Sequence, residues 1–266
     1  MPCTLSQWFR SKRAGVNALV QLLRHLTNGW EVWRQLKRGS PITRLTLRSG
    51  PTIHARPEDS AFGLFWEIFV DRCYLGRDFY HPKPGDTVVD LGANIGVFVL
   101  QCQHTTPGVR VHAVEPNPPT FAQLKHNLAD NRLEHSVAVY PLAISGNHGS
   151  LYLKQGVPVS GHQQLLTSGD GDPIPCITIE GLFAHAGIEH CDLLKIDTEG
   201  AELAIVEGAS RDIWPLIQRV VLEYHDNIHP GCGERLHHYL TRMGFASQIK
   251  PTPGFPHLGM IYARRH

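Results

Sequence analysis

The segment from Asp86 to Gly96, Asp-Thr-Val-Val-Asp-Leu-Gly-Ala-Asn-Ile-Gly, constrains the fold more than any other part of the 266-residue chain. A short apolar run ends at Asp90 and Leu91 and passes into a loop bounded by Gly92 and Gly96. A second apolar run, 111–114, ends at Glu115. A buried strand, a glycine turn, a helix and a second strand ending in a carboxylate make the nucleoside-binding half of an open α/β sheet.

The loop chemistry selects among nucleoside cofactors. A dinucleotide site wants G-x-G-x-x-G, whose second glycine lets the backbone approach a pyrophosphate. Here the loop reads Gly92-Ala93-Asn94-Ile95-Gly96, with Asn94 at the position of approach. Asp90 at the strand tip would repel a diphosphate and face a cationic ligand instead. Glu115 is placed to accept hydrogen bonds from two ribose hydroxyls. A ribose-binding acid without a phosphate loop fits S-adenosylmethionine, which carries a ribose and a sulfonium but no phosphate. A dinucleotide oxidoreductase is the competing reading, and Asn94 counts against it.

Bulk properties narrow the partners. The net charge of +1 implies no strong electrostatic partner such as nucleic acid. No Asn/Asp-Pro-Pro-Tyr/Phe motif follows the fourth strand, where Asp197-Thr-Glu-Gly200 stands instead, so a nucleic-acid methyltransferase is disfavoured. The six scattered cysteines include no C-x-x-C pair and read as reduced thiols of a cytoplasmic protein. No apolar run is long enough to span a bilayer, and no signal-peptide core stands at the N-terminus.

Residues 1–58 read as a helical and hairpin extension ahead of a catalytic domain at 59–266. The first forty residues carry Arg10, Lys12, Arg13, Arg24, Arg34, Lys37 and Arg38 against one acid, Glu31. Val16, Leu19, Val20, Leu23 and Leu26 recur at helical spacing. This spacing favours helices docked on the catalytic domain or on a second copy of it. A basic element lying on a membrane surface is the sharper alternative. Residues 61–75 predict one helix, 94–104 another, and 137–142 the third sheet strand. The Gly/Ser/Pro-rich stretch 154–173 predicts a lid or a mobile insertion.

Asp90-Leu-Gly-Ala-Asn-Ile-Gly-Val-Phe98, Val114-Glu-Pro-Asn117 and Leu194-Lys-Ile-Asp-Thr-Glu-Gly-Ala-Glu202 together resemble the FkbM family of methyltransferases. The resemblance covers roughly residues 60–225 and departs from the family pattern at Glu180, where Asp is usual. It implies a class I methyltransferase fold, a mostly parallel sheet with helices on both faces and a last antiparallel strand. It also implies O-methylation of a hydroxyl on a sugar or secondary metabolite. N-methylation of a small molecule or peptide, and a catalytically idle binding protein, are the alternatives.

Ligands in such sheets sit at the carboxyl ends of the strands. The expected cofactor contacts are Asp90, Gly92, Ala93, Asn94, Gly96, Glu115, Pro116, Asn117, Ala143, Ile144 and Asp197, with Ile144 bordering the adenine. Asp197 is expected beside the transferring methyl, its competing role being a helix N-cap. Glu199 and Glu202 are expected in the first turn of the following helix, Glu199 as a catalytic candidate and Glu202 complementing the helix dipole. His225 is the expected general base, since imidazole titrates near neutral pH. No metal is favoured, although Asp197 with Asp226 and Asn227 would supply three oxygen ligands.

Overall fold

The computed structural model describes residues 12–76, 79–153, 165–166 and 173–265. Helices α1 (Lys12–His25) and α2 (Gly29–Arg38) lead into the hairpin β1 (Arg44–Thr46) and β2 (Thr52–His54). Helix α3 (Ala61–Phe65) runs directly into a π-helix, Trp66–Asp71. There follow β3 (Thr87–Leu91), α4 (Val97–Thr105), β4 (Arg110–Val114), α5 (Pro118–Asp130) and β5 (Val137–Tyr140). Next come β6 (Ala143–Ile144), β7 (Gly149–Leu153), β8 (Leu165–Leu166), β9 (Ile174–Ile177) and α6 (Ile179–Ala186). The chain closes with β10 (Leu193–Ile196), α7 (Glu202–Gly208), β11 (Arg219–His225), α8 (Cys232–Arg242), β12 (Ala246–Thr252) and β13 (Phe255–Arg264).

The main sheet has seven strands in the order β12-β13-β11-β10-β3-β4-β5. Its members from β5 to β11 are parallel, while β13 runs antiparallel to β11 and β12 antiparallel to β13. Strand alternation sorts the core into two layers. Val88, Val111, Leu193 and Val221 pack beneath α4, α5 and the N-terminal elements. Val89, Val114, Leu194 and Val220 pack against α6, α7 and α8. Both faces are covered, which explains why the strands read as unbroken apolar runs.

Several expectations are corrected. The third strand stops at Tyr140, because Pro141 has no N–H for the ladder. Ala143 and Ile144 pair with β9 in a separate four-stranded sheet, order β6-β9-β7-β8. Helix α4 starts at Val97, because the positive φ of Asn94 and Gly96 keeps the preceding loop out of the helix. Residues 61–75 are not one regular helix, since the π-turn intervenes and Arg72 ends it in the left-handed region. In α1 the buried face is Ala18 and Leu22, and Leu26 continues that four-residue spacing just past the helix end. Val16, Val20 and Leu23 point outward instead. Among the described residues no helix is long and apolar enough to cross a membrane. Apart from Leu165–Leu166 and Pro173, the stretch expected to be a lid lies outside the described residues.

The hairpin seats the N-terminal elements on α5. Asn127 Nδ2 donates to the His54 carbonyl at 2.9 Å and to the Ile95 carbonyl at 2.7 Å. One buried amide thus ties the extension to the glycine loop.

Candidate active site

The strand order reverses between β3 and β10, with β4 and β5 to one side and β11, β13 and β12 to the other. That crevice is where open α/β sheets bind ligands. Gly92 follows β3 and Asp197 follows β10. The Asp197 N–H donates to the Leu91 carbonyl at 3.0 Å. Gly92 has φ +80°, and a Cβ there would lie 1.8 Å from the Asp197 carbonyl oxygen. A Cβ at Gly96 would lie 2.5 Å from Leu124 Cδ1. The two glycines therefore permit close packing of the chain against itself.

Every backbone N–H of the loop has an acceptor inside the protein. Gly92 and Ala93 donate to the Val114 carbonyl at 3.0 and 2.9 Å, and Gly96 to the Ala93 carbonyl at 2.9 Å. Asn94, held at φ +51°, donates to Glu115 Oε2 at 3.0 Å, and Ile95 donates to Asn94 Oδ1 at 2.8 Å. No loop amide is left to cradle a diphosphate. Asn117 donates its N–H to Glu115 Oε1 at 2.9 Å, and its side chain caps α5 by accepting from the Thr120 N–H at 3.4 Å. Pro116 joins the two. Burial pushes Glu115 up to about 7, against the pull of these two amides.

Asp90 does not present its charge to the crevice. It is fully buried, and Lys195 Nζ, itself buried, lies 2.8 Å from Asp90 Oδ1. Lys195 also donates to the Gly92 carbonyl at 3.1 Å and stands 3.8 Å from Asp197 Oδ2. Its ammonium sits 4.7 Å from the ring centre of Tyr74 and 5.8 Å from that of Phe98. Burial disfavours the charged form of Lys195, but Asp90 and then Asp197 outweigh it and raise its pKa. The Tyr74 hydroxyl donates to Asp197 Oδ2 at 2.7 Å. Asp197 Oδ1 is buried and has no hydrogen-bond partner among the described residues. Asp197 is no N-cap, because α7 begins five residues later.

Alternation along β11 puts Glu223 and His225 on one face of the sheet. His225 is 3% exposed, with Nε2 3.3 Å from Glu199 Oε2 and Nδ1 3.3 Å from Glu202 Oε1. Burial lowers its pKa, yet Glu202, Glu199 and Asp197 together raise it to about 10. His225 is thus held between two carboxylates at the tip of β11. Glu199 and Glu202 do not share a helical turn, since Glu199 (φ +54°) and Gly200 (φ +107°) break the helix before it starts. Glu202 Oε1 accepts from the Thr198 N–H, the Thr198 hydroxyl and the Gly200 N–H at 3.0, 3.2 and 3.0 Å. It closes this loop and faces His225.

Asp226 and Asn227 do not join Asp197. Asp226 Oδ1 accepts from the Gly233 N–H at 3.0 Å at the start of α8, and Asn227 is exposed. The residues that do gather are Asp197, Glu223 and His225, and Glu67 of the π-helix lies near enough to feel the charge of Asp197. Burial raises Glu67 to about 7, with Asp197 adding to the effect. Burial also holds Glu223 well above the usual carboxylate range, with help from Asp197 and Glu67. Ala143 and Ile144 are buried in packed clusters. Sequence reasoning missed Glu67, Tyr74, Lys195 and Glu223. An ionisable residue within an apolar run was the available signal for Lys195 and Glu223.

Residues 90–247 match the model of the methyltransferase FkbM domain. The chain belongs to the FkbM family of methyltransferases. It is 34% identical over 216 residues to the 31-O-demethyl-FK506 methyltransferase FkbM of Streptomyces tacrolimicus, covering 70% of this chain and 82% of that one. It is 26% identical over 146 residues to the hexuronic acid methyltransferase AglP of Haloferax volcanii, covering 54% and 58%. Among solved structures, the FkbM methyltransferase of Methylobacillus flagellatus KT shares the fold, with TM-score 0.52 at 14% identity. The match covers 94% of this chain, which spans 58% of that structure's length. The FkbM chain is accordingly an S-adenosylmethionine-dependent methyltransferase with a class I α/β fold.

Proposed function

We propose that this FkbM-family enzyme transfers a methyl group to a hydroxyl of a small molecule or sugar. The observation that carries this reading is a carboxyl raised to about 7, Glu67, beside Asp197 at the switch point. A hydroxyl needs a base to become a nucleophile, and a base is most effective when its pKa lies near the working pH. An amine acceptor would need no such group once neutral. The names of the Streptomyces and Haloferax relatives, a 31-O-demethyl-FK506 methyltransferase and a hexuronic acid methyltransferase, support the same acceptor chemistry.

The residues fit S-adenosylmethionine. All five loop amides are engaged internally, so the crevice suits a nucleoside without phosphates. Each Glu115 oxygen takes one backbone N–H and keeps a lone pair for a ribose hydroxyl. When bound, the cofactor supplies an electrophilic methyl group. Asp197, anchored through Oδ2 by Tyr74, orients the acceptor at the tip of β10. Glu67 takes the hydroxyl proton as the oxygen–carbon bond forms and the carbon–sulfur bond breaks. We assign the extension, residues 1–58, to acceptor recognition. An open groove of about 510 Å³ between α2 and α3, lined by Trp33, Leu36, Ile42, Pro57 and Phe62, suits an apolar portion of the acceptor.

The test is a labelled-methyl assay against hydroxylated and aminated acceptor panels, with calorimetric titration of S-adenosylhomocysteine. Transfer to hydroxyls that falls at least tenfold in Glu67→Gln, with binding retained, is expected. Transfer to amines alone would overturn the reading.

A further inference from the structure

We infer that Asp197, Glu223 and His225 form a binding site for one divalent first-row metal ion such as Mn²⁺. One ligand atom from each lies within 4.8 Å of the other two, close enough for small side-chain adjustments to bring all three to one ion. A second observation supports a cation ligand there. Asp197 Oδ1 is buried without a hydrogen-bond partner, while Oδ2 is held by Tyr74 and Lys195. The His225 ring is buried, and both of its nitrogens face carboxylates.

The surroundings match what a metal-binding histidine needs. Glu202, fixed by Thr198 and Gly200, faces Nδ1 at 3.3 Å and would hold that nitrogen protonated, leaving Nε2 for the metal. Glu199 lies 3.3 Å from Nε2 and can enter as a further ligand. The lining is acidic, with Glu199 and Glu202 facing the His225 ring beside Asp197 and Glu223. A donor set of oxygens with one imidazole suits Mn²⁺ among first-row ions.

The ion's role rests on the hydroxyl reading. Bound to the acceptor oxygen, it would weaken the O–H bond whose proton passes to Glu67. Occupancy of the site does not depend on that reading.

The experiment is calorimetric titration of metal-stripped full chain with Mn²⁺, and with S-adenosylhomocysteine in parallel. One Mn²⁺ per chain is expected, with affinity at least tenfold weaker in both Glu223→Gln and His225→Ala. Glu223→Gln removes a repulsive buried carboxylate, so it should stay folded. Retained S-adenosylhomocysteine binding in that variant confirms that it does. Absence of saturable Mn²⁺ binding to the wild-type chain, or equal binding in the folded Glu223→Gln variant, overturns the site. Mn²⁺ binding without S-adenosylhomocysteine binding would overturn the cofactor placement and leave the metal site standing.

Discussion

Tyr74 and Asp197, 123 residues apart in the chain, meet through a 2.7 Å hydrogen bond in which the phenol donates to Oδ2. The bond holds Oδ2 and leaves Oδ1 without a hydrogen-bond partner among the described residues. Tyr74 packs edge-on against Phe98 and is itself buried, so its hydroxyl has little freedom to turn elsewhere. Tyr74→Phe should lower kcat/KM by about 10- to 100-fold, the value of a charge-assisted hydrogen bond at about 1.5–3 kcal/mol. Affinity for S-adenosylhomocysteine should change less than threefold. Steady-state kinetics and calorimetry on the one variant check both.

Lys195 is the counter-charge of a buried aspartate. Lys195→Met leaves Asp90 without its cation, and breaking a buried pair from one side costs about 3–5 kcal/mol. Urea unfolding should register most of that loss. The double variant Lys195→Met with Asp90→Asn should recover a substantial part, and a double variant no more stable than the single one would contradict the pairing.

Glu115 predicts a pH dependence of cofactor binding. Burial raises its pKa from 4.5 to about 7. Its contribution to fold stability is therefore complete below 4.5 and is lost as pH rises through 7. Cofactor binding runs the other way, because ribose hydroxyls donate best to the ionised carboxylate. S-adenosylhomocysteine affinity should rise between pH 6 and 8 with a midpoint near 7. Glu115→Gln should bind weakly and show no such rise.

The two loop glycines should respond differently to a methyl group. Gly92→Ala drives Cβ into backbone oxygen, 1.8 Å from the Asp197 carbonyl, where neither partner can yield. Gly96→Ala meets only Leu124 Cδ1, the end of a flexible side chain. Thermal unfolding should show severe loss of folded protein for Gly92→Ala. For Gly96→Ala it should show a milder decrease of about 1–3 kcal/mol.

The main sheet was legible because each central strand is an apolar run ended by a turn or an acid. Glu115 and Asp197 were legible for the same reason, since a carboxylate closing such a run falls at the crevice. The pairings were not legible. Nothing in the local pattern of Leu194-Lys-Ile says that Lys195 reaches Asp90, because that contact exists only once β10 lies beside β3. Glu67 and Tyr74 fell inside a stretch read as one helix, and the π-turn within it has no periodic signature. His225 was read from the intrinsic pKa of imidazole, and nothing in the local pattern showed the two glutamates that face its ring. Gly200 and Pro141 were available signals, the one for the late start of α7 and the other for the early end of the third strand.

The π-helix at Trp66–Asp71 ties catalysis to chain length. A residue in a regular helix advances about 100° around the axis, so adding or deleting one position between Ala61 and Cys73 would rotate everything beyond it by that angle. Glu67 or Tyr74 would then swing away from Asp197 while the sheet beneath stayed intact. Length variation in this short span is therefore a discrete switch over the crevice. A library of single-residue insertions and deletions there would sample new acceptor geometries on an unaltered cofactor platform.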